Sequence, residues 1–271
     1  MAVDHYENFP VASVLLPARF RAPVALIYRF AREADDFADE GDAPPEVRLR
    51  QLRDFDEGLA DLEAGRPPRI DWFPALGSMI AEYGLPIDAF RDLLSAFAQD
   101  VTRTRYTSFG DVLDYCRRSA NPVGRLLLVL YGADTAKNRQ HSDAICTALQ
   151  LINFLQDVAI DYRKNRIYLP MEDLHAHDVS EKDIATANAA GRWPELMAFQ
   201  TGRARGMLLS GAPLGRVLQG RLGLEMRTII AGGARILDKI DRVRGDVFGH
   251  RPVLKWHDWP LMLLRASTRN S

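Results

Sequence analysis

Two pairs of aspartates dominate the chemistry available to this chain. In RFAREADDFADE, Asp35 and Asp39 lie four residues apart, and in QLINFLQDVAIDYRKNRIYLP, Asp157 and Asp161 repeat that spacing. Residues four apart share one face of a helix, so each pair sets two carboxylates side by side. Crowded carboxylates repel unless a cation sits between them. Mg²⁺ suits that place, because it takes oxygen ligands and often bridges a protein carboxylate to a phosphate.

The second segment carries more than its acids. Gln150, Asn153, Asp157 and Asp161 follow one another at helical steps and form a single polar stripe. A solvated outer face is the plain alternative. However, long Lys and Glu side chains normally fill such a face. Here short Asp and Asn residues fill it, and these are weaker helix formers. Arginines accompany both pairs: Arg32 near the first, Arg163 and Arg166 near the second. Guanidinium groups grip phosphate oxygens in a bidentate fork. The expected chemistry is ionisation of a diphosphate ester, with Mg²⁺ neutralising the leaving group. The carbocation left behind needs an apolar, water-poor hollow. Phe9, Tyr28, Phe30, Tyr115, Val123, Leu127 and Phe154 are candidates to line it, with ordinary core as the alternative for each.

The elements that must position these groups read as helices throughout. Pro23 suits the first turn of a helix that runs through the first acidic pair and ends at GDAPPE. Apolar residues between Glu46 and Glu63 recur at helical spacing. Further helices are expected around Ala75 to Tyr83 and from Pro86 to Val101, with about three more after Pro194. Ser108 can cap a helix through Tyr115, Ser142 can cap the long helix of the second pair, and Ser180 with Asp183 resembles a capping box. The expectation is all-α, one domain over residues 1–271.

Composition narrows the classes. The 271 residues are 47% hydrophobic and 26% charged, with net charge −1. That balance gives no electrostatic drive toward nucleic acid. The two cysteines, Cys116 and Cys146, fall inside predicted helices and suggest a reducing, cytoplasmic setting. The N-terminal residues do not read as a secretory signal, and the longest apolar run, Leu126 to Tyr131, is too short to span a bilayer.

Four ordered blocks carry a resemblance: HYENFPVASVLLP, YRFAREADDFADE, RYTSFGDVLDYCRRSANPVG and LQLINFLQDVAIDYRKNRIYLP. Together they resemble the squalene and phytoene synthases, from about His5 to Trp259. The resemblance implies an isoprenoid-synthase-type helical domain with a central cavity. It implies Mg²⁺ held by Asp35, Asp39, Asn153, Asp157 and Asp161. Substrate contacts would fall to His5, Tyr28, Arg32, Gln150 and Arg166, and Tyr115 with Val123 would line the cavity.

Within the family, HYENFPVAS, CRRSANPVG, ICTALQLINF and the tail MRTIIAGGARILDKIDRVRGDVFGHRP are most similar to bacterial hydroxysqualene synthases of hopanoid pathways. The implied reaction ionises presqualene diphosphate and lets water capture the cation. Condensation of two farnesyl diphosphates to presqualene diphosphate, or of two geranylgeranyl diphosphates to phytoene, would use the same aspartates. A non-catalytic assembly factor is the third possibility, and the intact acid pairs argue against it. The implied setting is the inner face of a bacterial membrane, with peripheral contact and a squalene-forming reductase as partner. The segment RPVLKWHDWPLMLL, with Trp256, Trp259, Leu261, Met262 and Leu263, reads either as a last core helix or as an interfacial segment.

Two departures from the family pattern bear on mechanism. Gln156 stands where many relatives carry an arginine, so its role would pass to Arg163, Lys164 or Arg166. The usual Ala-Gly is replaced by Ala120-Asn121, followed by Pro122. Proline inside a helix frees a carbonyl, here that of Arg118. Asn121 and Tyr115 are therefore candidates to position the attacking water, with a simple kink as the alternative. Other signals are weaker. Glu172 and His175 have di-iron spacing but no second copy. His175 and His177 lack further ligands for zinc. His250 and Arg251 could touch phosphate, with an exposed basic turn as the plainer reading, and Asp100 with Arg103 and Arg105 resembles a family segment beside the cavity.

Overall fold

The computed structural model describes residues 16–249 and 251–267. His5 and Phe9, expected at the substrate, and His250 lie outside the described residues. The first half comprises α1 (Ala18–Asp39), α2 (Pro45–Glu63), α3 (Phe73–Tyr83), α4 (Ile87–Thr102), α5 (Phe109–Ser119) and α6 (Asn121–Leu130). The second comprises α7 (Ala136–Arg163), α8 (Met171–Ala176), α9 (Glu181–Ala185), α10 (Trp193–Gly211), α11 (Leu214–Val217), α12 (Gly220–Arg242) and α13 (Trp259–Ser267). Among the described residues the only extended pairing is an isolated parallel bridge between Arg105 and Ile167.

Caps and prolines explain several boundaries. Ser108 accepts from the Asp111 backbone N–H at 3.2 Å, while the Asp111 carboxylate accepts from the Ser108 N–H at 3.0 Å. This reciprocal capping box starts α5, and the same arrangement of Ser180 and Asp183 starts α9. The long helix differs from expectation. Thr135 caps α7 by accepting from the Asn138 N–H at 3.2 Å, and Ser142 lies buried within the helix. Pro23 is also interior, because α1 starts earlier at Ala18. Pro122 does not interrupt a helix. Ala120 ends α5, and Pro122 occupies the first turn of α6, where a missing N–H costs nothing.

Two apolar cores flank the space that matters. One is built mainly from α1 to α4 around Phe30, Phe55, Phe73 and Phe90. The other surrounds α7 with residues of α5, α10 and α12. Helix α1 packs on α2, α4 and α6, whereas α7 packs on α5, α6, α10 and α12, and a hollow remains between them. Gly124 brings α6 close to α7: a Cβ there would meet Ser142 Oγ at 2.3 Å. By length and composition, α7 is the one described helix that could cross a membrane, yet half of that stretch is buried. It is a core helix of about 42 Å, at 1.5 Å rise per residue.

Two connecting segments are tied to this frame. The Ile167 N–H donates to the Thr104 carbonyl at 2.9 Å, and Arg105 bonds the Asn165 carbonyl at 2.7 Å and Glu181 through both carboxylate oxygens at 2.9 Å. These contacts fix the 164–168 loop. The 251–258 segment runs back over α7 and α12. Gln156 Nε2 donates to the Pro252 carbonyl, and Lys239 Nζ to that of Val253 at 2.7 Å. Asp258, with no side-chain exposure, receives Arg235 at 2.8 Å and Lys239 at 2.5 Å.

Helix α13 packs onto α12 on one side and leaves apolar residues open on another. Met262 and Ala266 are buried, and Arg227 of α12 donates to the Ala266 carbonyl at 2.6 Å. Trp256 is nevertheless 83% exposed and Leu264 62% exposed, with Leu261 and Leu263 also open.

Removing one partner of a buried ion pair leaves the others uncompensated, which costs about 3 kcal/mol or more. Asp258→Ala is therefore expected to lower the unfolding free energy by that order, read as a lower urea midpoint at unchanged slope. A midpoint within experimental error of the parent would refute the anchoring role.

Candidate active site

The hollow between α1 and α7 is a cavity of about 590 Å³. Its walls reflect the register of the two helices. Val24, Ile27, Tyr28, Ala31, Arg32, Asp35 and Asp39 of α1 face it, and so do Leu149, Gln150, Asn153, Asp157 and Asp161 of α7. Both helices place apolar residues first and acids last. Lys164 and Arg166, just beyond α7, both pair with Asp39 at the end of α1. The two C-terminal ends therefore lie on the same side, and all four aspartates gather at one end of the cavity. Helix C-termini carry negative partial charge, so this end is doubly anionic. The remainder is lined by Val123 and Leu127 of α6, Met226 and Ile229 of α12, and Phe97, Tyr115, Phe154 and Tyr168.

In each pair, one carboxylate is held by arginine and the other is left under strain. Asp39 is paired with Arg166 and Lys164, and Asp157 receives Arg251 through two nitrogens, with Nη2 to Oδ2 at 3.0 Å. Burial opposes the charge on Asp39, but Arg166 and Lys164 outweigh it and hold that carboxyl below its usual range. Among the described residues, Asp35 pairs only with Arg32, at 3.6 Å. Its side chain is 40% open, and that opening faces the cavity. Burial, reinforced by Asp39, pushes Asp35 up to about 7. Burial, with Asp157 and then Asp39, pushes Asp161 well above the usual range. Such carboxylates lack positive charge, and a divalent cation would supply it.

The donor set suits Mg²⁺. Asp35, Asp39, Asn153, Asp157 and Asp161 offer oxygen ligands from two facing walls. Among the described residues, no three Asp, Glu, His or Cys side chains already converge on one point.

Several expected residues lie elsewhere. Arg163 is exposed and does not line the cavity, because it leaves the last turn of α7 on its outer face. Asn121 is buried beside Thr147, whose hydroxyl donates to its Oδ1 at 3.0 Å, and it is not part of the lining. The start of a new helix at Asn121 turns that side chain toward α7. Phe30 belongs to the first core and not to the cavity wall. Gln156 points away from the cavity to Pro252, and the cations paired with the acids are Arg166, Lys164 and Arg251. Arg251, for which an exposed turn is the plainer reading of the sequence, instead lines the cavity on Asp157. Asp100 also lines it, buried beneath Tyr115 and Tyr168. The similar tail and the segment around Asp100 were the signals available for both.

Comparison with known proteins agrees with this geometry. Residues 2–259 match the family model described as squalene/phytoene synthase. A hydroxysqualene synthase of Rhodopseudomonas palustris is 36% identical over 233 residues, covering 85% of this chain and 78% of that protein. A phytoene synthase of Arthrospira platensis is 31% identical over 98% of this chain and 91% of its own. The crystal structure of a squalene synthase from Alicyclobacillus acidocaldarius superposes with a TM-score of 0.82 at 34% identity, covering 89% of this chain and 90% of that one.

The strained carboxylates set a pH signature. Asp35 titrates near 7 in the folded chain against 3.8 ordinarily, and Asp100, pushed up by burial, titrates near 6. Between those values the folded state binds more protons than the unfolded one, so stability falls as pH rises through the window. Asp39 acts in the opposite sense, but only below about pH 4. The melting temperature of the metal-free protein is expected to fall from about pH 5 to about pH 8, and Mg²⁺ to restore more of it at the higher pH. A melting temperature that is flat or rises over that range would contradict the assignment.

Proposed function

The chain belongs to the squalene/phytoene synthase family, and from that premise we propose that it converts presqualene diphosphate, with Mg²⁺, to hydroxysqualene and diphosphate. One observation carries the proposal: two acid pairs meet at one end of a hollow whose walls are largely apolar. The hydroxysqualene synthases of Rhodopseudomonas palustris and its relatives support this substrate. The phytoene synthase match supports a second reading, condensation of two prenyl diphosphates in the same cavity.

In the proposed reaction the diphosphate enters at the acidic end. Arg32, Arg166 and Arg251 stand there, and each can turn a guanidinium toward phosphate oxygens. Mg²⁺ bound by the aspartates would neutralise the charge that grows on the leaving group. The hydrocarbon lies along Val24, Ile27, Val123, Leu127 and Met226, which exclude bulk water while the cation lives. Gln150 and Tyr28, midway along the two walls, can contact the junction between head and chain. Water capture yields an alcohol that a squalene-forming reductase would consume.

The exposed residues of α13 and of the turn before it support peripheral contact with a membrane. Trp256, Leu261, Leu263 and Leu264 are open, and Lys255 and Arg265 flank them. A basic, apolar face of this kind suits an anionic bilayer surface.

Incubation of the purified protein with Mg²⁺ and presqualene diphosphate is expected to give hydroxysqualene and diphosphate. Asp35→Asn and Asp157→Asn should each lower the rate about 100-fold or more. Presqualene diphosphate recovered intact, with farnesyl diphosphate consumed instead, would favour condensation. In vesicle co-sedimentation, binding should be stronger to anionic than to neutral lipid and should weaken on Leu264→Glu. Equal recovery with both lipids, or no effect of the substitution, would remove the membrane contact.

A further inference from the structure

Beside Arg166 the cavity wall carries a further carboxylate, outside the two acid pairs. Asp100 of α4 is 5% exposed, and Tyr115 and Tyr168 are 3% and 8% exposed. All three line the cavity. Tyr115 Oη donates to Asp100 Oδ2 at 2.5 Å, and Tyr168 Oη donates to Oδ1 at 2.9 Å. Arg166 Nη2 donates to the Asp100 backbone carbonyl at 3.0 Å. The rings are equally fixed. Tyr168 stacks on Phe154 with centroids 3.9 Å apart and planes 4° apart, and Tyr106 meets Tyr115 edge-on at 5.6 Å.

A phenol has one hydrogen to donate, and an ionised carboxylate only accepts. Both phenol hydrogens are committed to Asp100. What the two oxygens offer the cavity is therefore lone pairs alone. A water lodged against either oxygen must donate a hydrogen to it, which turns the water's own lone pairs outward. A carbocation needs a lone pair presented in that way. We propose that Asp100 is a positioning residue: by holding the hydroxyl hydrogens of Tyr115 and Tyr168, it makes their oxygens acceptors that orient the nucleophilic water. This rests on the hydration reading above.

The step balances. The water oxygen forms the new C–O bond with the cation. The resulting oxonium loses the proton already aimed at a phenol oxygen. That phenol passes its own hydrogen to Asp100, which leaves a neutral alcohol, a neutral phenol and a protonated carboxyl. Fixing the dipoles before the cation forms spares their reorganisation at the moment of reaction. It also gives Tyr115 its place at the water without Asn121.

The test is the ratio of alcohol to diphosphate released from presqualene diphosphate with Mg²⁺, measured on the full chain. Asp100→Asn keeps the size of the side chain, but its amide donates a hydrogen where the carboxylate accepted one. One phenol must then turn its hydrogen toward the cavity. Loss of one oriented hydrogen bond corresponds to about a tenfold fall in the ratio, with hydrocarbons from direct proton loss taking the place of alcohol. A purely structural role would lower both products together and leave the ratio alone. Tyr115→Phe and Tyr168→Phe keep the rings and each remove one acceptor, so they decide the matter if Asp100→Asn does not fold. The proposal is overturned if Asp100→Asn keeps the parent's ratio, or if both phenylalanine variants do. If the parent itself makes no alcohol, the hydration reading fails and this inference with it, an outcome distinct from an alcohol-forming parent whose variants match it.

Discussion

Negative charge gathered at the C-terminal ends of two helices governs the site. Asp35 and Asp39 end α1, and Asp157 and Asp161 lie in the last two turns of α7. The free carbonyls of both helix ends add to that charge. Without compensation the ends would repel, and the hollow between them would open or its acids would protonate. The protein supplies part of the compensation itself. Lys164 and Arg166 bind Asp39, and Arg251 binds Asp157. Asp35 and Asp161 remain short of positive charge, and their raised protonation is the physical trace of that deficit.

The surrounding fold serves the placement of these cations. The loop carrying Lys164 and Arg166 is held by the 104–105 strand-like contact and by Arg105 on Asn165 and Glu181. The segment carrying Arg251 is held by Gln156, Lys239 and the buried Asp258. Gln156 thus has a use its sequence position did not suggest. An arginine there could reach the cavity only from α7 itself, whereas the glutamine fastens a segment that brings Arg251 from elsewhere. The charge remains beside Asp157, but its support has moved.

The parts of the site within one helix were legible from sequence. Helical spacing places Gln150, Asn153, Asp157 and Asp161 on one face, and the structure turns that face to the cavity. Asp35 and Asp39 follow the same rule. Capping chemistry located the starts of α5 and α9, because Ser-x-x-Asp satisfies its own backbone donors locally. Residues placed by contacts distant in sequence were not legible. Arg251 reads as an exposed turn until Gln156 and Lys239 are seen to hold its neighbours. Asn121 looked like a cavity residue because Pro122 suggested a break within one helix. Instead the chain starts a second helix there, and Thr147 takes the amide. Arg163 and Arg166 are three residues apart, yet the end of α7 between them sends one outward and the other inward.

The same logic of committed hydrogens and unpaired charge explains how one hollow holds two unlike tasks. At the acidic end, groups are short of positive charge and hold a cationic deficit ready for a charged ligand. On the wall of Asp100, the carboxylate is satisfied by two phenols, so its charge is spread into a fixed acceptor surface beside apolar residues. If the two acids exchanged environments, each would fail. In the proposed reaction a satisfied Asp35 would have no use for Mg²⁺, and an unsatisfied Asp100 would compete for the ion beside the phenols proposed to orient water. Burial raises both acids; what separates their roles is whether the nearest neighbours are carboxylates, as Asp39 is to Asp35, or hydroxyl donors, as Tyr115 and Tyr168 are to Asp100.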